Sequence, residues 1–541
     1  MKETVALSMP TTVLNPFRQW VPRWLKAVVA LVILVPVMLA NGAYSGSNID
    51  ISSYLGVMAE DINMSYYATS AGMAIAYLVL PKVKPIATAK TIILIVLLLQ
   101  VILSFICAQT SYMEIIVVCS FMIGYFKAFS LVEVINILMP IFAPSGTRNE
   151  FYAKFYPISL TCGQLSLVLT AELAYVYKWQ YMYYFMIQLL LVAIIVVVIC
   201  MSYARRLIRI PIKDIDWLSL FLISLCFMSF IYVTTYGKTK DWYASGTILV
   251  ATILIPIAGW LFIRRQFTDK KPFLDLSVLK NRNSLVVYLM SFVLMFFASF
   301  SIFVSSYATS ILRLESTRVN ELYLYMIPGI VLGGFICYYW YLKAIRMAWL
   351  IFIGFACFTA AIAILYFRVM PNGLYQDLYL PMFLRGIGLL VLFVAFAVYA
   401  IQGLKQNQLV YNAFFMISAR SALAPALGAS ILSNWLYHRQ QYNLSVLSEG
   451  LGRQNPLAMN LYNSSFKSAL AQGWGMEDAQ RIAVNTLYQK VQIQALTVSI
   501  KEILGWMLII GIILLVCILL YFFQFKPVRL IKVGGDMTGT G

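Results

Sequence analysis

The feature that most constrains this chain is a repeat of apolar runs about 20 residues long, separated by short polar or basic connections. That is the length an α-helix needs to cross a hydrocarbon core of about 30 Å. A barrel of the outer-membrane type would instead show alternating segments of about ten residues. Composition agrees: 62% of the 541 residues are hydrophobic, 11% are charged, and the mean hydropathy is +0.83. A soluble domain carries far more charge on its surface. The expectation is an all-α polytopic membrane protein.

Fourteen spans of suitable length fall near 27–56, 64–81, 90–109, 114–141, 153–176, 181–203, 215–236, 245–264, 284–310, 321–342, 347–368, 379–402, 408–436 and 504–524. An even count of this size predicts two six-helix bundles, 27–203 and 284–524, with an inserted pair in 204–283 between strongly basic flanks. The first run is too long for a signal-peptide core and lacks a small-residue cleavage site, so it is expected to stay as the first helix. With the N-terminus inside, the inner connections hold 25 Lys and Arg and the short outer ones 6. This bias places the short ends 1–26 and 525–541 in the cytoplasm.

The net charge of +19 therefore reads as membrane topology, and no nucleic-acid partner is expected. The eight cysteines all lie in apolar runs without a CxxC pair, which predicts neither a disulfide framework nor a metal site. The sizeable polar segment 437–503 is expected outside. Asn455-Pro456 reads as a helix start, "GWG" at 473–475 as a break, and the whole as a short helical hairpin or bent helix.

Ionisable groups inside spans are costly without partners and are functional candidates by default. These are Asp50 in the first span, Lys127 and Glu133 in the fourth, Glu172 near the outer end of the fifth, Arg385 in the twelfth and Arg420 in the thirteenth. A carboxylate such as Asp50 inside a bundle can take up and release a proton as its cavity wets and dries. The bland alternative is a helix-end carboxylate facing water. Lys127 and Glu133, six residues apart, lie about 240° apart around one helix and do not face each other directly. Arg420 sits among small residues that permit close helix packing, and either ties helices together or faces a substrate. The aromatic clusters 178–185 and 335–343 read as interfacial anchors. No nucleotide loop, HExxH or triad is present, and the single histidine is His438. The chain is not expected to be an enzyme or to hold a cofactor, and energy for any transport would come from an ion gradient.

At this point several stretches resemble a known family. "KPFLDLSVLKNRN" (271–283), "LYMIPGIVLGG" (324–334), "LRGIGLLVLFVAFAVYAIQGL" with "NAFFMISARSALAPALGASI" (384–431), and the polar segment with "NPLAMNLYNSSF" and "GWGMEDAQRIAVNTLYQKV" are similar to the fourteen-helix drug:proton antiporters of the major facilitator superfamily, of the EmrB/QacA-like type. Arg420 falls on that family's characteristic arginine. The first half diverges: "LPKVKPIATAK" (80–90) lacks the usual acid, Ser120 stands where an arginine is usual, and "SLVLTA" (166–171) replaces the antiporter signature.

The resemblance implies a major facilitator fold in a bacterial inner membrane and proton-driven export of amphipathic, often cationic, drug-like molecules. It also implies a periplasmic adaptor docked on 437–503, as in a tripartite pump. The family's first-helix acid would fall near Ser47, making Asp50 a displaced version and Lys127 a substitute for the missing arginine. Proton coupling is thus expected at Asp50 and Glu133, with Lys127, Arg385 and Arg420 as charge partners; no substrate-binding residue is named. The alternative is a membrane sensor or structural protein that has lost transport, or a transporter for another solute, such as an importer or a lipid or siderophore exporter.

Overall fold

The computed structural model describes residues 16–44, 46, 48–84, 87–203, 215–268, 274–343, 345–405, 408–451 and 455–524. The expected cytoplasmic tail 525–541, most of 1–26 and most of the connection entering the inserted pair lie outside the described residues. What is described is helical, apart from one isolated β-bridge between Phe17 and Met201.

The N-terminal half contains α1 (Arg23–Leu39), α2 (Asn48–Leu55), α3 (Ala59–Val83), α4 (Ala89–Gln109), α5 (Met113–Phe142), α6 (Arg148–Val176) and α7 (Gln180–Cys200). The inserted pair is α8 (Trp217–Tyr236) and α9 (Gly246–Thr268). The C-terminal half contains α10 (Arg282–Ala298), α11 (Ser301–Ser306), α12 (Ser316–Glu321), α13 (Met326–Leu342), α14 (Met347–Arg368), α15 (Tyr379–Ala400), α16 (Leu409–Ile417), α17 (Ala424–Glu449), α18 (Pro456–Ala471) and α19 (Met476–Gln524). π-helical turns at Tyr307–Ile311 and Ser418–Leu423 continue α11 and α16.

Twelve helical stretches among the described residues are long and apolar enough to cross a membrane. The first two predicted spans do not meet that measure. α1 has only 17 residues, and α3, though 25 residues long, is diluted between 64 and 81 by Ser65, Tyr66, Tyr67, Thr69, Ser70 and Gly72. Length and apolarity thus support a polytopic helical protein without establishing a count of fourteen.

Two readings need correction. The predicted first span, 27–56, is interrupted: α1 ends at Leu39, residues 40–44 are not helical, and α2 begins at Asn48. The polar segment does form a hairpin, with α18 packed against α19 across the break at 473–475, but its second arm does not end before the last span: α19 runs unbroken for 49 residues from Met476 into the last apolar run. Nothing in the sequence stops it, since no Pro or Gly occurs between Met476 and Gly505. At 1.5 Å per residue α19 is about 74 Å long, more than twice the hydrocarbon thickness, and α18 packs along its first part. Asn455 caps α18 with Pro456 in its first turn, and Gly473, at φ +86°, makes the break before α19.

In the N-terminal half α3 crosses α5, with Ala68, Gly72 and Ala76 on one helix and Ser120, Gly124 and Ala128 on the other, each four residues apart. Gly72 lies against the Phe121 carbonyl and Gly124 against that of Thr69, leaving no room for a Cβ at either. The two halves meet where α6 packs on α12, α13 and α15, and where α3 packs on α16 and the π turn Ser418–Leu423. The inserted pair packs on itself and, through α8, against α3 and α17. Asp216 caps α8 and holds Arg265 of α9 at 2.8 Å, while Tyr236 at the other end of α8 donates to Asp61 of α3 at 2.5 Å.

Candidate functional site

α1 spans about 26 Å, short of a full crossing, so its C-terminal carbonyls open into protein rather than water. Backbone left without helical partners there must be satisfied locally. Lys127 of α5 does most of this: its Nζ donates to the carbonyls of Met38 at 2.9 Å and Ala40 at 3.0 Å, and to Asn41 Oδ1 at 3.1 Å. A cation at this position also complements the negative end of the helix dipole. Ser166 of α6 donates to the Leu39 carbonyl at 3.0 Å, Tyr183 of α7 donates to the Gly42 carbonyl at 2.7 Å, and Gly42 N–H reaches Thr69 Oγ1 of α3 at 3.4 Å. Gly42 itself lies directly against Ser120. An arginine at Ser120 would collide with this strand of backbone.

The far end of the break is held from the other half. Asn320 of α12, buried, donates to the Gly46 carbonyl at 2.6 Å. One peptide segment is thus gripped by α3, α5, α6 and α7 on one side and by α12 on the other. Discontinuous helices of this kind are where several transporter folds place their binding sites.

A second polar contact crosses between the halves at Arg420. This residue is 6% exposed and lies in the π turn after α16. It donates to the Phe393 carbonyl of α15 at 3.3 Å and to the Tyr156 hydroxyl of α6 at 3.2 Å. Its guanidinium lies 4.1 Å from the Phe393 ring centroid and 5.1 Å from that of Tyr156. Nε has no hydrogen-bond partner, and Arg420 makes no ion pair among the described residues. Cation–π contact with two rings offsets part of the cost of burying a charge without an acid. Arg385 of α15 is half-buried and similarly served: it donates to the Ala298 carbonyl at 3.2 Å and lies 5.8 Å from the Phe300 ring and 5.9 Å from that of Tyr323. Both arginines are therefore held by neutral groups, which can exchange partners without separating an ion pair.

No family model matches the chain. Curated relatives do. The colistin resistance protein EmrB of Acinetobacter baumannii is 24% identical over 301 residues, covering 55% of this chain and 57% of that protein. The multidrug export protein EmrB of Escherichia coli K12 is 24% identical over 303 residues, covering 54% and 56%. The chain spans little more than half the length of the curated relatives it matches. Among solved structures, tetrameric PepTSo2 has a TM-score of 0.54 at 12% identity, covering 93% of this chain and 99% of that one. A peptide transporter POT bound to sulfate scores 0.51 at 11% identity, covering 91% and 95%. The likeness to these transporter structures is one of fold, and in sequence the chain is similar to the EmrB proteins.

In this transporter-like fold the candidates named from sequence separate spatially. Lys127 holds the α1 break, Arg385 and Arg420 sit at contacts of α15 and of the π turn, and Glu133 is buried six residues beyond Lys127 on α5. Glu172 is exposed. Asp50 lies on α2 beyond the break rather than on a continuous first helix; its side chain, like Ser47, lies outside the described residues. The aromatic clusters are not purely interfacial: Trp179 and Tyr183 are buried in the N-terminal core, as is Tyr341 in the C-terminal core, while Tyr181, Phe335 and Tyr339 are exposed. Among the described residues no group of three or more His, Cys, Asp or Glu could hold a metal.

Sequence reading missed Asn41, Thr69, Tyr156, Ser166, Tyr183 and Asn320. Asn41-Gly42 was the available signal, since this dipeptide inside an apolar run marks a turn.

Proposed function

We propose that this chain is a proton-coupled efflux transporter that exports amphipathic or drug-like small molecules across a bacterial inner membrane by alternating access of its two bundles. The observation that carries the reading is the interrupted first helix, whose unwound segment is held by Lys127 on one side and Asn320 on the other. It is a contact that rocking of one half against the other would have to remake. The relation to EmrB proteins of Acinetobacter baumannii and Escherichia coli supports drug export as the activity. In this reading Asp50 and Glu133 carry the proton, and both termini face the cytoplasm as the distribution of Lys and Arg implies. Arg385 and Arg420, with no acid partners among the described residues, favour neutral or anionic amphipaths over cations. In this reading α18 and the polar parts of α17 and α19 lie on the opposite face and offer a surface to an adaptor protein.

The test is reconstitution of the full chain in proteoliposomes under an imposed pH gradient, with internal pH followed by an entrapped dye. A panel of amphipathic compounds should evoke proton flux that disappears in Asp50→Asn and falls in Glu133→Gln. Absence of compound-stimulated flux for every member of the panel would refute the transport reading and leave a sensor or structural protein.

A further inference from the structure

α14 and α19 pack side by side at the edge of the C-terminal half, and neither is among the helices through which the two halves meet. Between them lies a groove of about 340 Å³ lined by Tyr366, Val498, Lys501, Glu502, Gly505, Trp506 and Ile509. That volume lies within the range of small-ligand sites. The groove sits where α19 passes from its polar first part into the apolar run and where α14 reaches its end at Arg368. Trp506 is 57% exposed and Phe367 67% exposed at this level. Tryptophan, aromatic and lysine side chains gathered at one depth mark a membrane–water boundary. Gly505 keeps the α19 wall flat, and Tyr366 forms the floor beside it.

The charges here are unequal in their commitments. Glu502 accepts from Arg439 at 2.7 Å and from Asn443 at 3.1 Å, so its charge is already balanced. Lys501, the adjacent residue on the groove side, has no ion pair or hydrogen bond among the described residues. The groove therefore presents an apolar floor open to lipid with one uncompensated ammonium at its water-facing end.

We propose that this groove binds an anionic phospholipid, with an acyl chain lying over Tyr366, Gly505, Trp506 and Ile509 and the phosphate against Lys501. A zwitterionic headgroup brings its own cation next to the Lys501 ammonium and loses the advantage. The site is independent of the transport reading, because it lies outside the contact between the halves.

Native mass spectrometry of the purified full chain tests this, with phosphatidylglycerol and phosphatidylcholine of identical chains titrated separately. The wild type should retain phosphatidylglycerol preferentially. Removing one near-surface lysine charge in Lys501→Gln should cut that preference about five-fold. Val498→Trp, at an exposed rim position, should fill the groove and lower retention of both lipids. Lys467→Gln, an exposed lysine on α18, should leave retention unchanged. Equal retention of the two lipids by the wild type, an unaltered preference in Lys501→Gln, or an equal loss in Lys467→Gln would overturn the proposal.

Discussion

Replacing Lys127 with methionine tests the account of the interrupted first helix most directly. The side chain keeps its length and loses its three donors, leaving the Met38 and Ala40 carbonyls and Asn41 Oδ1 without the ammonium that now serves them. Hydrogen bonds to a charged group contribute about 1.5–3 kcal/mol each, so the gross loss is roughly 5–9 kcal/mol. Against this, the variant no longer buries an ammonium, which returns several kcal/mol. The net destabilisation is then about 2–4 kcal/mol, a shift of roughly 30- to 900-fold in the unfolding equilibrium. Equilibrium unfolding in mixed detergent micelles, followed by far-ultraviolet circular dichroism, would measure it. Transport in Lys127→Met should fall together with the folded fraction. A stability change under about 0.5 kcal/mol would show that the carbonyls find other donors and that Lys127 does not hold α1. Transport abolished with stability intact would likewise refute the helix-end role and move Lys127 into the coupling chemistry.

Gly124→Val drives a branched side chain into the Thr69 carbonyl at the α3–α5 crossing, and should cost about 1–3 kcal/mol or more in the same unfolding measurement. Arg420→Leu removes a buried charge that has no acid partner and should leave stability unchanged or raised, by up to about 4 kcal/mol, while reducing compound-stimulated flux at least about ten-fold. Flux retained in that variant would make Arg420 a packing residue. For Asp216, burial works against the charged form but the hydrogen bonds and charge of Arg265, with those of Ser219, outweigh it and hold the carboxyl below the ordinary 3.8. Its contribution is therefore complete above that pH and is lost as pH falls through the folded-state value. Asp216→Asn should destabilise the inserted pair by about 0.5–1 kcal/mol at pH 7, and the difference from wild type should vanish in acid.

The membrane class, the position of nearly every span and the cap and break that frame α18 were all legible in the sequence. Each depends on residues close together in the chain: an apolar window long enough to cross a bilayer, Asn455 before Pro456, and Gly473 where φ is positive. Transfer of a segment into lipid is a local property, so a one-dimensional reading recovers it. The unbroken α19 was legible too, in the absence of Pro and Gly from 476 to 504, but the polarity of that stretch outweighed the signal.

What only the tertiary structure decided are the partners of the interior polar groups. Lys127 and Ala40 are 87 residues apart in sequence, Asn320 and Gly46 are 274 apart, and Arg420 and Tyr156 are 264 apart. In a bundle closed to water every such group must find a partner among whichever helices come alongside. The sequence marks these residues as costly to bury. Helix packing alone settles whether each one meets a carbonyl, a ring or another charge, and so converts a predicted continuous first span into an interrupted helix gripped from both halves.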